Sequence, residues 1–229
     1  MLKLLSLFCI FIAVLGSCPP TEREALIAIY VALKGGDWAN TWDIHNPGID
    51  HCSWYGVECS SGRVTAIMLQ ENNLKGVIPS VIGCFNSLQY LKLQGNMLTG
   101  YIPSSIGHLQ KLKTLDLSDS LITGRIPTTL CNLYESLQYL NLHNTRLNGK
   151  IPECFDVRFS SSLVSFSVHC TSLIGTIPDG FADMRSLRYL TSYCTSMGCA
   201  GCTQFNGPHG CQKQCGNVNC DSQCLASTS

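Results

Sequence analysis

The residues of this chain that could do chemistry are its 15 cysteines and a small set of carboxylates and imidazoles: Asp116, Asp119, His143 and His169. A carboxylate beside an imidazole can trade protons, and two adjoining imidazoles can hold a metal or make binding respond to pH near neutrality. Hydrolysis would need more, and neither a nucleophile motif nor a phosphate-binding loop is present. The two histidines lack an obvious third ligand. We therefore expect no enzyme activity, no catalytic residues, no metal and no cofactor. The last six cysteines, Cys199, Cys202, Cys211, Cys215, Cys220 and Cys224, are separated by Gly, Asn, Gln and Ser, too few apolar residues for a core. They predict a disulfide-held cap or module of open connectivity. Zinc on Cys199, Cys202 and two later thiolates, with His209, is the alternative.

The N-terminus sets the compartment. Lys3 supplies a positive charge, Leu4–Leu15 is apolar apart from Ser6, and Val14 and Gly16 are small residues ahead of a cut before Ser17. This reads as a signal peptide, since about a dozen apolar residues fall short of the roughly 20 that span a bilayer. Leu15-Gly16-Ser17-Cys18 also reads as a lipobox, in which Cys18 would be acylated. No later run is apolar enough for a transmembrane segment. Balanced charge, 15 Lys+Arg against 15 Asp+Glu, with no basic run, argues against nucleic acid. The expected protein is secreted or extracellular, at a cell wall or cell surface, and oxidised.

What must position the candidate residues is a repeat. From Val64 to Tyr193 the pattern Leu-x-x-Leu-x-Leu-x-x-(Asn/Ser/Thr)-x-Leu-x-Gly-x-Ile-Pro recurs. Its Ile-Pro pairs begin at Ile78, Ile102, Ile126, Ile151 and Ile177, spaced 24, 24, 25 and 26 residues apart. A unit of this size cannot bury its own apolar edge, so the units must stack. The leucines flanking single residues predict a short strand with leucines inward and the x residues outward. Asn72, Asn96, Ser120, Thr145 and Thr171 then form a ladder that turns inward to bond the main chain. A hydroxyl has one donor proton where an amide has two, so the second half of the ladder should be weaker.

The pattern resembles the plant-type leucine-rich repeat (LRR), in five full units and one partial. Cys52-Ser53-Trp54-Tyr55-Gly56-Val57-Glu58-Cys59 is similar to the N-terminal cap of that family. The resemblance implies an α/β solenoid: a curved right-handed superhelix with a parallel concave sheet, an N-terminal helical cap and here a Cys-rich tail. We place the signal peptide at 1–16, the cap at 17–63, the array at 64–195 and the tail at 196–229. Thr21 and Glu24 form a capping-box pattern that opens the cap helix, and Gly35-Gly36 should end it. Cys52 is expected to pair with Cys59, and Trp38, Trp42 and Trp54 to fill the cap.

Stacking also aligns outward residues into columns. One holds Ala66, Tyr90, Thr114, Tyr139, Ser165 and Tyr189; the next Met68, Lys92, Asp116, Asn141, Ser167 and Thr191. A third holds Gln70, Gln94, Ser118, His143, His169 and Tyr193, and a fourth Glu71, Gly95, Asp119, Asn144, Cys170 and Cys194. Cys170 and Cys194, neighbours in a column, should be within disulfide reach. Cys84, Cys131 and Cys154 fall near the convex turns, as buried thiols or with Cys131 bridged to Cys154. The candidate ligand face is Tyr90, Lys92, Asp116, Tyr139, Asn141, His143, His169 and Tyr189. By resemblance to receptor ectodomains and polygalacturonase inhibitors it should bind an extracellular protein, peptide or glycan. The partners implied include a receptor kinase or a microbial enzyme, with the chain acting as co-receptor or inhibitor. A structural or adhesive surface protein, attached through the tail, is the alternative.

Overall fold

A computed structural model of the chain describes residues 18–192 and 195–197. The expected signal peptide, Tyr193, Cys194 and residues 198–229 of the expected Cys-rich tail lie outside the described residues. Helix α1 (Glu22–Ala32) opens on Thr21, whose side chain accepts from the Glu24 amide while the Glu24 carboxylate accepts from the Thr21 amide. Its buried face is Ala25, Leu26, Ala28 and Ile29, followed by the buried Leu33. The left-handed residue past the helix is Lys34 (φ 59°), just ahead of the Gly35-Gly36 pair expected to end it. Gly35 serves a different need, because a Cβ there would run into the Tyr30 ring.

The strands follow in order: β1 (Val57–Ser60), β2 (Arg63–Met68), β3 (Lys75–Val77), β4 (Tyr90–Lys92), β5 (Met97–Thr99), β6 (Thr114–Asp116), β7 (Thr123–Gly124), β8 (Tyr139–Asn141), β9 (Arg146–Gly149), β10 (Ser165–Ser167), β11 (Ser172–Gly175), β12 (Tyr189–Thr191) and β13 (Ser196–Met197). One sheet runs β1-β2-β4-β6-β8-β10-β12, antiparallel only where the cap hairpin β1–β2 closes its edge. The others form a lateral layer, β3-β5 and β7-β9-β11-β13, linked by Leu121 N–H to Leu98 and Thr123 N–H to Gly100. Past the Ile-Pro pairs, whose Pro79, Pro103 and Pro127 are extended, the chain closes in short 3-10 turns such as Ser80–Cys84, Ser104–His108 and Thr128–Leu133. This is a parallel LRR solenoid with two sheet faces.

Leucine and isoleucine fill the coil interior, giving way to the stacked rings of Phe155, Phe159, Phe166 and Phe181 in the last repeats. The cap end is covered by Trp38, Trp42 and Trp54, all buried, with neighbouring ring centroids 4.9 and 5.0 Å apart. Cys52 and Cys59 form a disulfide. Cys84 is not a thiol: it is bridged to Cys18, 66 residues away, and ties the chain ahead of α1 to the first convex turn. That bridge also takes the Cys18 sulfur out of reach of the acylation a lipobox would require. Cys131 and Cys154 bridge adjacent convex turns.

The ladder side chains are all buried, and they differ in what they connect. Asn96 Oδ1 accepts from the amides of Asn72 and Leu74 in the preceding coil, while its Nδ2 donates to the carbonyls of Leu69 and Leu93. Asn72 makes the same kind of link to Asn40 of the cap. Ser120, Thr145 and Thr171 instead donate to the carbonyls of Leu117, Leu142 and Val168, each three residues upstream in the same coil. Thr195 extends this series by donating to Ser192.

Removing Asn96 strands buried amides in one coil and carbonyls in two. Asn96→Ala should therefore cost about 3 kcal/mol or more, whereas Thr145→Ala, which loses one local bond, should cost about 1 kcal/mol. Urea midpoints of the two variants test this; equal shifts would show that the amide does not tie the coils together.

Candidate functional site

The backbone register sets Ala66, Tyr90, Thr114, Tyr139, Ser165 and Tyr189 side by side, with Met68, Lys92, Asp116, Asn141, Ser167 and Thr191 two residues further along each strand. In the first row the tyrosines alternate with small residues. Tyr90, Tyr139 and Tyr189 are 37%, 45% and 61% exposed, and Thr114 and Ser165 leave slots one strand wide between the rings. Ala66, flanked by Glu58 and Tyr90 and too small to project, is fully buried and takes no part in this surface.

Below the tyrosines lies a polar relay. Asp116 Oδ1 accepts from the Ser118 hydroxyl and amide, and its Oδ2 accepts from Asn141 Nδ2 at 3.0 Å. That bond orients the Asn141 amide so that Oδ1 faces His143 Nδ1 at 2.5 Å, leaving the imidazole as donor. The other nitrogen, Nε2, lies 3.4 Å from Asp119, an ion pair when the ring is protonated. Asn144 Nδ2 donates to the second Asp119 oxygen at 2.8 Å. Glu71, Gly95, Asp119, Asn144 and Cys170 all have positive φ, between 50° and 68°. The fourth column is thus the left-handed corner where each strand turns inward, a conformation that suits Gly, Asn and Asp.

His143 and His169 stack with ring centroids 4.3 Å apart and planes 8° from parallel. His169 sits against Ser167 and Thr191, its Nδ1 3.0 and 3.1 Å from their hydroxyls. Its pKa is pushed from 6.5 down to about 4, first by burial and then by the charge of His143, with Asp119 opposing. Two parallel imidazoles share a face rather than aim their nitrogens at one point, so they make a poor metal pair. Another cluster, His51 with Cys52 and Cys59, brings candidate metal ligands together. Its sulfurs are joined to each other and offer no thiolate.

Of the expected site residues, Lys92, Asp116, Tyr139, Asn141, His143 and His169 line one shallow cleft of about 520 Å³, open on the concave side. Tyr90 and Tyr189 stand on the same row at either side. Thr114, Ser165, Ser167 and Thr191 also line the cleft; the repeat places them in the same columns, but they are not among the expected ligand residues. Cys170 is disulfide-bonded; its expected partner Cys194 lies outside the described residues.

A family model described as the Leucine rich repeat N-terminal domain matches residues 19–60, and one for the Leucine Rich Repeat matches 87–109, 111–133 and 136–157. A chain of the BIR3–SERK2 complex from Arabidopsis thaliana superposes with a TM-score of 0.60 at 30% identity, covering 74% of this chain and 97% of that one. The chain belongs to the plant-type leucine-rich repeat family. The complex of the Arabidopsis receptor kinase HAESA with the peptide hormone IDA and the co-receptor SERK1 gives a TM-score of 0.70 at 26% identity, over 79% of this LRR chain and 30% of that one. A Vitis vinifera polygalacturonase inhibitor is 32% identical over 76 residues, 32% of this LRR chain. The match spans under a quarter of the length of such curated relatives. No helix among the described residues is long and apolar enough to cross a membrane.

A group held neutral in the fold but charged in the unfolded chain makes stability depend on pH. Because the His169 pKa is lowered, its contribution is present above about pH 6.5 and is lost as pH falls toward 4. The melting temperature should drop between pH 7 and pH 4.5, and His169→Gln should flatten that drop. Equal slopes for the two proteins would remove His169 as the cause.

Proposed function

We propose that this LRR protein is an extracellular recognition module that holds a polypeptide, a peptide or a segment of a larger protein, on its concave face. The observation that carries this reading is the row of exposed Tyr90, Tyr139 and Tyr189 separated by slots at Thr114 and Ser165, over a polar cleft. Tyrosine offers a large, rigid, amphipathic contact with few rotamers to immobilise, and slots one strand wide suit the side chains of an extended chain. The relay from Asp116 through Asn141 and His143 to Asp119 presents donors and acceptors already oriented, which lowers the cost of ordering on binding. The peptide hormone in the HAESA complex and the inhibitors among the relatives support a protein or peptide as the partner class. Roles as co-receptor for a receptor kinase or inhibitor of a microbial enzyme both follow from such a surface. The open face excludes little water, which supports binding rather than catalysis.

The test is a binding assay of the secreted protein against a panel of Arabidopsis secreted peptides and LRR ectodomains, with a plant cell-wall glycan array alongside. Tyr139→Ala with His143→Ala should lower affinity for the peptide or protein selected at least about tenfold, since truncating a central tyrosine commonly removes 2 kcal/mol or so. Secretion yield should be unchanged. Unaltered binding by the double variant, or selection of glycans alone, would refute the assignment.

A further inference from the structure

The lateral layer carries a second surface that the concave reading does not use. Its outward positions are Asn73, Lys75 and Val77 in the first repeat, then Met97, Thr99 and Tyr101, Leu121, Thr123 and Arg125, Arg146, Asn148 and Lys150, and Ser172, Ile174 and Thr176. Five of the ten large apolar side chains left exposed among the described residues are here: Val77, Met97, Tyr101, Leu121 and Ile174. Tyr101, at 67% exposed, is the most open of the ten. The same positions hold four cations and no carboxylate, in a chain whose formal charges cancel. Lys75 is paired with Asp37 of the cap at 3.6 Å. Among the described residues no carboxylate lies within ion-pair distance of Arg125, Arg146 or Lys150, all exposed.

The side chains that precede each Ile are also held in place. Val77 lies over Gly100, Tyr101 over Gly124, Arg125 over Gly149 and Lys150 over Gly175; a Cβ on these glycines would meet Val77 Cγ2 at 2.8 Å, Arg125 Cγ at 3.1 Å and Lys150 Cγ at 3.2 Å. All four glycines have positive φ, between 74° and 93°. The repeat glycine therefore does two things: it allows the left-handed bend, and it leaves the space in which the preceding repeat lays down its side chain. The result is a fixed row running apolar, aromatic, cationic, cationic.

We infer that this lateral row is a docking surface for an acidic polypeptide partner, one that seats an apolar side chain against Tyr101, Met97 and Leu121 and sets carboxylates against Arg125, Arg146 and Lys150. Exposed apolar patches rimmed by charge mark protein contacts, and a one-sign rim selects the opposite sign and rejects its own. An unopposed cation cluster also disfavours a second copy, because a two-fold contact would bring the same charges together. The lateral row works independently of the concave face, and neither face needs the other's ligand.

Panning a library of displayed random peptides against the intact secreted protein tests this. The expected peptides combine an aromatic or aliphatic residue with a run of Asp or Glu. Their binding should fall at least tenfold with Tyr101→Ala and with Arg125→Glu plus Lys150→Glu, weaken with salt, and be indifferent to Tyr139→Ala with His143→Ala. Tyr101 and both cations are exposed, so unchanged melting temperatures are expected and would confirm that lost binding is local. Absence of acidic peptides, or acidic peptides indifferent to the charge reversal, would overturn the inference. So would self-association of the protein that Tyr101→Ala abolishes.

Discussion

Each coil of this solenoid must turn a corner between its concave strand and its lateral strand, and that corner buries main-chain amides and carbonyls no strand pairs. A buried amide without a partner is unfavourable by a few kcal/mol, on the scale of a whole domain's net stability. The corner solves this with two adjacent residues: one in the left-handed region, which points the chain inward, and one inward side chain that bonds the stranded groups. Asn96 meets the need fully, reaching amides in the coil before it and carbonyls in both. Because the corner recurs with the period of the sequence, every residue counted from it lands in the same place in every coil. The tyrosine row, the polar relay and the lateral row all derive their alignment from it.

The corner does not stay the same along the chain. From Ser120 onward the ladder side chain is a hydroxyl that closes its own coil and leaves coil-to-coil contact to other groups. Over the same stretch the core changes from leucine to stacked phenylalanine, and Cys131–Cys154 fastens adjacent convex turns. Aromatic rings bury more area per residue than leucine, and a disulfide limits the unfolded chain rather than adding a contact to the folded one. The second half thus relies on the core and convex sides for cohesion that the first half draws from its corner. His143 and His169 sit in this half, and their stacking across neighbouring strands belongs to the same coil-to-coil contact.

The columns, the ladder and the capping box were legible because they depend on a period or on residues a few positions apart. Tyr90, Thr114 and Tyr139 could be set side by side without coordinates, since parallel strands of equal units have one sensible register. What the sequence hid depends on contacts across the fold. Cys18 and Cys84 share no spacing rule, and only the packing of the cap against the first convex turn brings them together. That the left-handed residue after the helix is Lys34, and that Gly35 is needed for the closeness of the Tyr30 ring, also depends on packing. The partial burial of His169 was equally unreadable: its column predicts exposure, and the stacked His143 ring with Ser167 and Thr191 half-buries it. The slots at Thr114 and Ser165 were present in the columns, but a small residue draws attention only once its large neighbours are seen to stand apart.

One repeat period generates two surfaces of opposite character. On the concave side Lys92 is offset by Asp116 and Asp119, and the display is of tyrosine hydroxyls, amides and imidazole, groups that read hydrogen bonds rather than charge. On the lateral side the outward positions of the described strands hold no carboxylate, Asp37 of the cap reaching only Lys75, and guanidinium and ammonium groups stand beside apolar ones. Net charge near zero conceals this, because it sums over faces that no partner sees together. The buried corner lies between the two rows, so a chain lying along the concave strands covers none of Tyr101, Arg125 or Lys150. On the two proposed readings, a small solenoid of this kind would hold a ligand on one face and an acidic partner on the other without either displacing its neighbour. Coupling between the two would have to pass through the corner, where Asp119 bonds the relay through His143 and Asn144, and the Asn144 carbonyl accepts from the amide of the ladder residue Ser120.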